Sequence, residues 1–423
     1  MASSVALPAT DRTILRDLLE RYAEAAAHPD NARRRREWTA LNGLQPTRPL
    51  LWINEICWHE FAAEPELQLR TSHAWSRGWE SRLRLTLYQW RHFPGDMILD
   101  PVLYTGIRCG PTSTYADYGI QASERKVAAG LDGTASFEPV INSEADVERL
   151  RVPEVTVDWD GTACDLATLR ELCDGIIPCA TRGLVHQWAA AWDQMIHWYG
   201  IERLYLDMCD RPALVHRLLE RFWAAVNTVL DRQIELGLLA TGDGNWRVGS
   251  GGLGCTTELP PPDCDPAHVR PADQWGCSTG QIFSEVSPDM HWEFCLQYEK
   301  PYMERFGLSY YGCCEPLHRK VGILRRVKNL RKISISPWAD LEVAAREIGT
   351  DYVISFKPNP AYLAHDHWQP ELVREYLRSS LERLRGCRVE VILKDISTIR
   401  GEPRRLAEWE KVARAVIAEW SPA

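Results

Sequence analysis

The 423-residue chain has no surplus of positive charge: 49 basic residues stand against 58 acidic ones, for a net charge of −9. They are spread without a basic stripe, which argues against a nucleic-acid surface or an anionic membrane as the main partner. No stretch approaches the roughly 18 unbroken apolar residues of a membrane span. Met1 to Thr13 lacks a basic start followed by an apolar run, so a cytoplasmic chain is expected. There is no G-x-S-x-G elbow for a serine hydrolase, no G-x-x-x-x-G-K-[ST] cradle, and no G-x-G-x-x-G after a strand. The 13 cysteines are odd in number and scattered, so reduced thiols are expected rather than a disulfide framework.

What the chain does have is an ordinary globular balance, 45% hydrophobic and 25% charged, enough for a large core. Its 18 tryptophans exceed what one core readily hides, and some are expected to line a concave aromatic site. Residues 11–42 carry helical spacing and end in the run Arg33 to Arg36, expected to be a solvated helix face. After Pro49, Leu50 to Glu55 reads as a buried strand, and 97–150 as an insertion and linker. From 175 onward short apolar runs alternate with amphipathic stretches. The expected strands are 176–180, 238–241, 280–283, 308–311, 332–335, 352–356 and 389–393. Helices are expected at 184–199, 212–236, 288–305, 318–327, 339–348 and 370–384. Such alternation implies parallel pairing through right-handed crossovers. With the Leu50 strand it predicts an α/β fold, a (β/α)8 TIM barrel over 49–423 behind a helical extension at 1–48. A doubly wound open sheet is the alternative.

In a barrel, reactive groups stand just past the strand C-termini. The sharpest such segment is Tyr310-Tyr311-Gly312-Cys313-Cys314-Glu315-Pro316-Leu317-His318. A helix N-terminus there would favour thiolate. Thiolates and imidazole suit zinc, so Cys313, Cys314 and His318 are candidate ligands, against a reading as a buried pair, a capping Glu315 and a surface histidine. Lys394-Asp395 follows another strand, as an ion pair that positions substrate, moves protons, or merely closes the barrel mouth. Lys357, ahead of Pro358-Asn359-Pro360, could bind a carboxylate or phosphate. Glu55, among aromatic neighbours, is either a general acid raised by burial or a helix cap. Trp58, Arg182, Tyr311, Trp338 and Asn359 are the remaining candidates for substrate contact. The glycine run 249–254 is expected to form a lid or to approach a ligand closely.

Tyr311-Gly312-Cys313-Cys314-Glu315-Pro316-Leu317-His318, Asn329-Leu330-Arg331 leading to Ser334-Ile335-Ser336-Pro337-Trp338-Ala339-Asp340, and Ser355-Phe356-Lys357-Pro358-Asn359-Pro360 resemble the uroporphyrinogen decarboxylase superfamily. The resemblance extends from about residue 35 to the C-terminus. It implies a single (β/α)8 barrel with a deep cleft at the strand C-termini, and a dimer by analogy. It also implies one of two chemistries, metal-free porphyrinogen decarboxylation or zinc-dependent methyl transfer to a corrinoid. The Arg-x-Ala-Gly-Arg stretch of the decarboxylases has no counterpart near the first strand. Tyr311-Gly312-Cys313 replaces the methyltransferases' His-x-Cys, and Lys394-Asp395 stands in place of their later cysteine. His291, in Asp289-Met290-His291-Trp292-Glu293-Phe294, lacks the final glycine of a D-x-H-x-x-G corrinoid motif and is expected to be a helix residue. The expectation is therefore a methyltransferase acting on a small O-, N- or S-methylated compound. Its corrinoid would arrive on a separate protein, zinc would assist, and Glu55, Glu315, Lys394 and Asp395 would be the catalytic residues. The alternatives are a metal-independent decarboxylase holding an anionic substrate with Arg182, Lys357 and Lys394, or a tetrapyrrole-binding protein.

Overall fold

The computed structural model describes residues 4–126 and 135–420. Its centre is one seven-stranded sheet, here β1 (Leu50–Ile53), β2 (Gln187–Ala189), β3 (Trp275–Ser278), β4 (Leu308–Tyr311), β5 (Leu330–Ile335), β6 (Val353–Phe356) and β7 (Arg388–Leu393), in the order β1-β7-β6-β5-β4-β3-β2. Every pairing in it is parallel. Nearly all of these strand residues are buried, as expected of a parallel sheet covered by helices.

Neighbouring strands sit about 4.8 Å apart, so strands two places apart lie roughly 10 Å from one another. Yet Lys332 of β5 meets Glu390 of β7 at 2.8 Å, and the Tyr310 hydroxyl of β4 lies 3.1 Å from Ser355 Oγ of β6. One face of the sheet thus carries a polar interior in which side chains of non-neighbouring strands meet. No further strand joins β1 to β2 among the described residues. Two short parallel contacts stand apart from the sheet, Leu103–Gly106 with Cys179–Arg182 and a bridge between Leu184 and Leu239.

Four expected strands agree closely with β1, β4, β6 and β7, and β5 begins two residues early. The others shift. Residues 179–182 are extended where 176–180 was expected, and 238–241 contributes only the Leu184–Leu239 bridge. Gln281–Phe283 is a 3₁₀ turn, because the buried strand lies earlier, at Trp275–Ser278. The helix expected at 184–199 begins only at Ala191, since Gln187–Ala189 pairs with β3.

The N-terminal extension is two helices, Ala9–Ala26 and Pro29–Asn42. Trp38 and Asn42 on the second close the N-terminal end of the sheet; the Asn42 amide donates to the carbonyls of Leu253 and Cys255 at 2.9 and 2.7 Å. The arginine run is only partly a solvated face: Arg36 is exposed and Arg33 and Arg35 are half-exposed, but Arg34 is not. Arg34 is buried and donates to the Met97 carbonyl at 2.8 Å, and Arg35 pairs with Asp100 at 2.5 Å.

The glycine run is neither lid nor ligand cradle but buried packing against the polar face of the sheet. Gly249 has φ of +57°, and a β-carbon on it would strike the Tyr310 ring; one on Gly252 would strike Trp38. Ser250 is fully buried between the Tyr310 hydroxyl (3.0 Å) and the Gly312 carbonyl (3.1 Å), and the Gly252 N–H donates to Glu390 at 3.0 Å. Only residues without a side chain let a backbone pass so close to these rings. No helix of the described residues is long and apolar enough to cross a membrane.

Candidate active site

β1 and β7 pair in register, Ile53 beside Leu393, so the residues two places beyond each strand, Glu55 and Asp395, emerge side by side. Both adopt left-handed backbone, with φ of +49° and +56°. Non-glycine residues take this conformation at a cost that surrounding contacts must offset, and such positions cluster at functional sites. Between them lies Lys394, 3% exposed, its ammonium 2.8 Å from Asp395 and 3.3 Å from Glu55.

The Cys313–Cys314 turn past β4 reaches the same ammonium. Lys394 Nζ is 3.5 Å from Cys313 Sγ and 3.8 Å from Cys314 Sγ, the two sulfurs are 3.5 Å apart, and Cys314 Sγ is 3.5 Å from Asp395. The vicinal thiols and the lysine–aspartate pair, eighty residues apart in sequence, thus converge at the C-terminal end of the strands. A hydrogen bond from Cys314, aided by the Lys394 charge, holds the Cys313 thiol below its usual pKa against burial; Cys314, donor to that sulfur and itself half-buried, is pushed up. Burial would lower Lys394, but the two sulfurs, Asp395 and Glu55 outweigh it, and its ammonium is held charged.

Glu55 also pairs with Arg247 at 2.9 Å, and Arg247 is a wall of a cleft of about 760 Å³. Arg82, Arg182, Tyr104, His186, Trp188 and Trp246 line it, with no carboxylate among the lining residues. The Arg182 guanidinium lies 4.6 Å from the ring centres of both Tyr104 and Trp246, so cation–π contacts fix it as a flat plate. The Trp246 indole N–H is buried with no acceptor among the described residues, and a buried donor is usually satisfied by some partner. His186 sits deeper, accepting from the Gly249 N–H at 2.9 Å with Cys277 at 3.3 Å; burial, with Arg247 nearby, pushes its pKa down to about 4 and keeps it neutral.

Past β2, at the same end of the strands, stands Asp193, near the start of helix Ala191–Tyr199. It accepts from the Tyr115 hydroxyl at 3.1 Å and from the Gln281 amide at 2.9 Å. Burial pushes its carboxyl up to about 6, with the charge of Glu315 adding to the shift. Tyr115 is 47% exposed and lies within electrostatic reach of Cys313.

The other candidates are placed differently. Glu315 is fully buried and accepts from Thr279 Oγ1 (3.0 Å), the Gly280 N–H (3.2 Å) and the Cys313 N–H (2.8 Å), so it braces the cysteine turn rather than facing a ligand. Tyr311 is buried with its hydroxyl 2.7 Å from His291 Nε2, and both belong to the core. Lys357 points inward, donating to the Tyr310 hydroxyl at 2.7 Å, and burial pulls its pKa down to about 8. Trp58 packs on Phe61, Tyr88 and Phe93. Asn359 caps the turn Pro360–Ala364 through Ala361 N–H. Trp338 is 73% exposed just beyond β5. His318 is half-buried, with Arg319, Lys320 and Asp340 as its charged neighbours.

A zinc ion does not fit this arrangement as it stands. Among the described residues no three His, Cys, Asp or Glu side chains are grouped to hold a metal ion, and an ammonium occupies the place beside the two sulfurs where the cation would sit. Arg247, His186, Asp193 and Tyr115 were not singled out from sequence. Arg247 adjoins the glycine run, a usable signal, whereas Asp193 looks like any acidic residue in a helix's first turn.

No family model matches the chain, and no curated protein does. Among solved structures, a methyltransferase from Methanosarcina mazei is similar with a TM-score of 0.48 and 11% identity, over 91% of this chain and 98% of that one.

Proposed function

We propose that the chain is a methyltransferase on a (β/α)8-type barrel, moving a methyl group from a small, flat, anionic methylated compound to a corrinoid carried by a partner protein. The methyl chemistry rests on the superfamily resemblance. The observation that carries the substrate class is the aromatic cleft with three arginines and no lining carboxylate, joined through Arg247, Glu55 and Lys394 to the mouth. Guanidinium groups match carboxylates in shape and charge, and a plate formed by Arg182, Tyr104 and Trp246 favours a planar scaffold.

With the anion held there, the methylated heteroatom points to the mouth. The bond from methyl carbon to heteroatom breaks, the heteroatom keeps the electron pair, and the Asp193 proton neutralises it as it leaves. A carboxyl titrating near 6 keeps a fraction of its acid form up to neutral pH, where an ordinary aspartate keeps almost none, and Tyr115, half-exposed, links it to solvent for reprotonation. The Lys394 ammonium adds positive potential where negative charge develops. A corrinoid docked there would supply the reduced cobalt that accepts the methyl group, and exposed Trp338 and Tyr115 offer aromatic surface at that end of the strands. No step needs zinc.

The test is to incubate the protein with a panel of methoxylated and N-methylated aromatic carboxylates and free cob(I)alamin, following methylcobalamin by absorbance. Formation of methylcobalamin is expected, with Asp193→Asn slower by about 10²–10⁴-fold. The arginine cleft equally favours a decarboxylase, and for that reading release of carbon dioxide with the methyl group retained is the discriminating result.

A further inference from the structure

The mechanism above leaves the two sulfurs unused. We propose that Cys313 and Cys314 form a reversible redox site that closes to a disulfide on reaction with a hydroperoxide. Four features of the turn support this. The sulfurs are already 3.5 Å apart and must close by only roughly 1.5 Å to bond. The Lys394 ammonium touches both, favouring thiolate at Cys313 and able to steady departing hydroxide. Asp395, 3.5 Å from Cys314 Sγ, can take that thiol's proton. Finally, Cys313 is pinned, its N–H bound to Glu315 at 2.8 Å and its carbonyl to Ser334 Oγ at 2.6 Å, while the half-buried Cys314 is the partner left to move.

The chemistry balances with a hydroperoxide as oxidant. Cys313 thiolate attacks one peroxide oxygen, the O–O bond breaks, and the alkoxide (or hydroxide) leaves to take a proton, giving a sulfenic acid at Cys313. Cys314 sulfur then attacks Cys313 sulfur; S–S forms, S–O breaks, and hydroxide departs as water with the Cys314 proton passed through Asp395. Each sulfur gives up one electron and the peroxide gains two, so one thiolate, one thiol, one hydroperoxide and one proton yield a disulfide, an alcohol and water. Adjacent α-carbons stand about 3.8 Å apart across a trans peptide. That is shorter than the usual disulfide span of about 4.4–6.8 Å, so the closed form is strained and a dithiol reductant reopens it.

The readout is independent of methyl transfer. The intact protein is treated with hydrogen peroxide, alkylated, digested and weighed. The peptide containing 313 and 314 should lose two hydrogens and two alkylation sites before the other cysteines react, and regain both after dithiothreitol. Cys314→Ser should stop at a dimedone-reactive Cys313, and Lys394→Met should slow the reaction by about tenfold while Lys394→Arg retains most of it. A wild-type peptide that stays reduced while other cysteines oxidise would overturn the proposal. So would one in which Cys313 runs directly to sulfinic acid, or in which the disulfide links two chains.

Discussion

At the scale of single residues, the site works by setting ionisable groups against their ordinary states. Asp193 is raised to about 6 by burial, so its useful form is the protonated one. Below about pH 5 it is fully protonated, and it is lost as pH rises through 6. The rate of methyl transfer should therefore fall on the alkaline side with an apparent pKa near 6, and Asp193→Asn should abolish that limb while lowering kcat far more than it raises KM. Steady-state rates from pH 4.5 to 8 check this. Sequence alone pointed to Glu55, Cys313, Cys314, Lys394 and Asp395, because each stands just past a strand whose apolar run is unmistakable. It could not reveal Asp193, whose pKa depends on what folds over it, nor foresee that Glu315 and Tyr311, beside those thiols in sequence, face the core.

At the scale of elements, the polar interior is held by the glycine segment. A methyl group at Gly249 or Gly252 has no room beside Tyr310 or Trp38. Gly249→Ala should cost about 1–3 kcal/mol, seen as a lower denaturation midpoint; an unchanged midpoint would mean that the segment does not fill the sheet. Lys332 and Glu390, both fully buried at 2.8 Å, form the other constraint. Removing one partner, as in Glu390→Leu, leaves a buried charge and should destabilise by about 3–5 kcal/mol; the double variant Lys332→Met/Glu390→Leu should recover much of that loss. These contacts explain where sequence reading stopped. Long, buried strands such as β5 and β7 announce themselves by composition, but β2 has only three residues and takes its extended form from pairing with β3. The run Gly249–Gly254 shows that backbone comes close to something, without showing that the something is Tyr310.

At the scale of the whole molecule, the C-terminal ends of β1, β4 and β7 come together, and Arg247 joins the arginine cleft to them. Arg182→Ala should raise KM for an anionic substrate by about tenfold or more and leave a neutral ester analogue little affected, because the lost interaction is electrostatic and made in the ground state. The most direct measurement is a single-turnover reaction with a methoxylated aromatic acid carrying distinct isotopic labels in its methyl and carboxyl carbons, in the presence of cob(I)alamin. The methyl label should appear in methylcobalamin while the carboxyl label stays on the demethylated acid. Carboxyl label released as carbon dioxide, with the methyl label left on the product, would contradict methyl transfer.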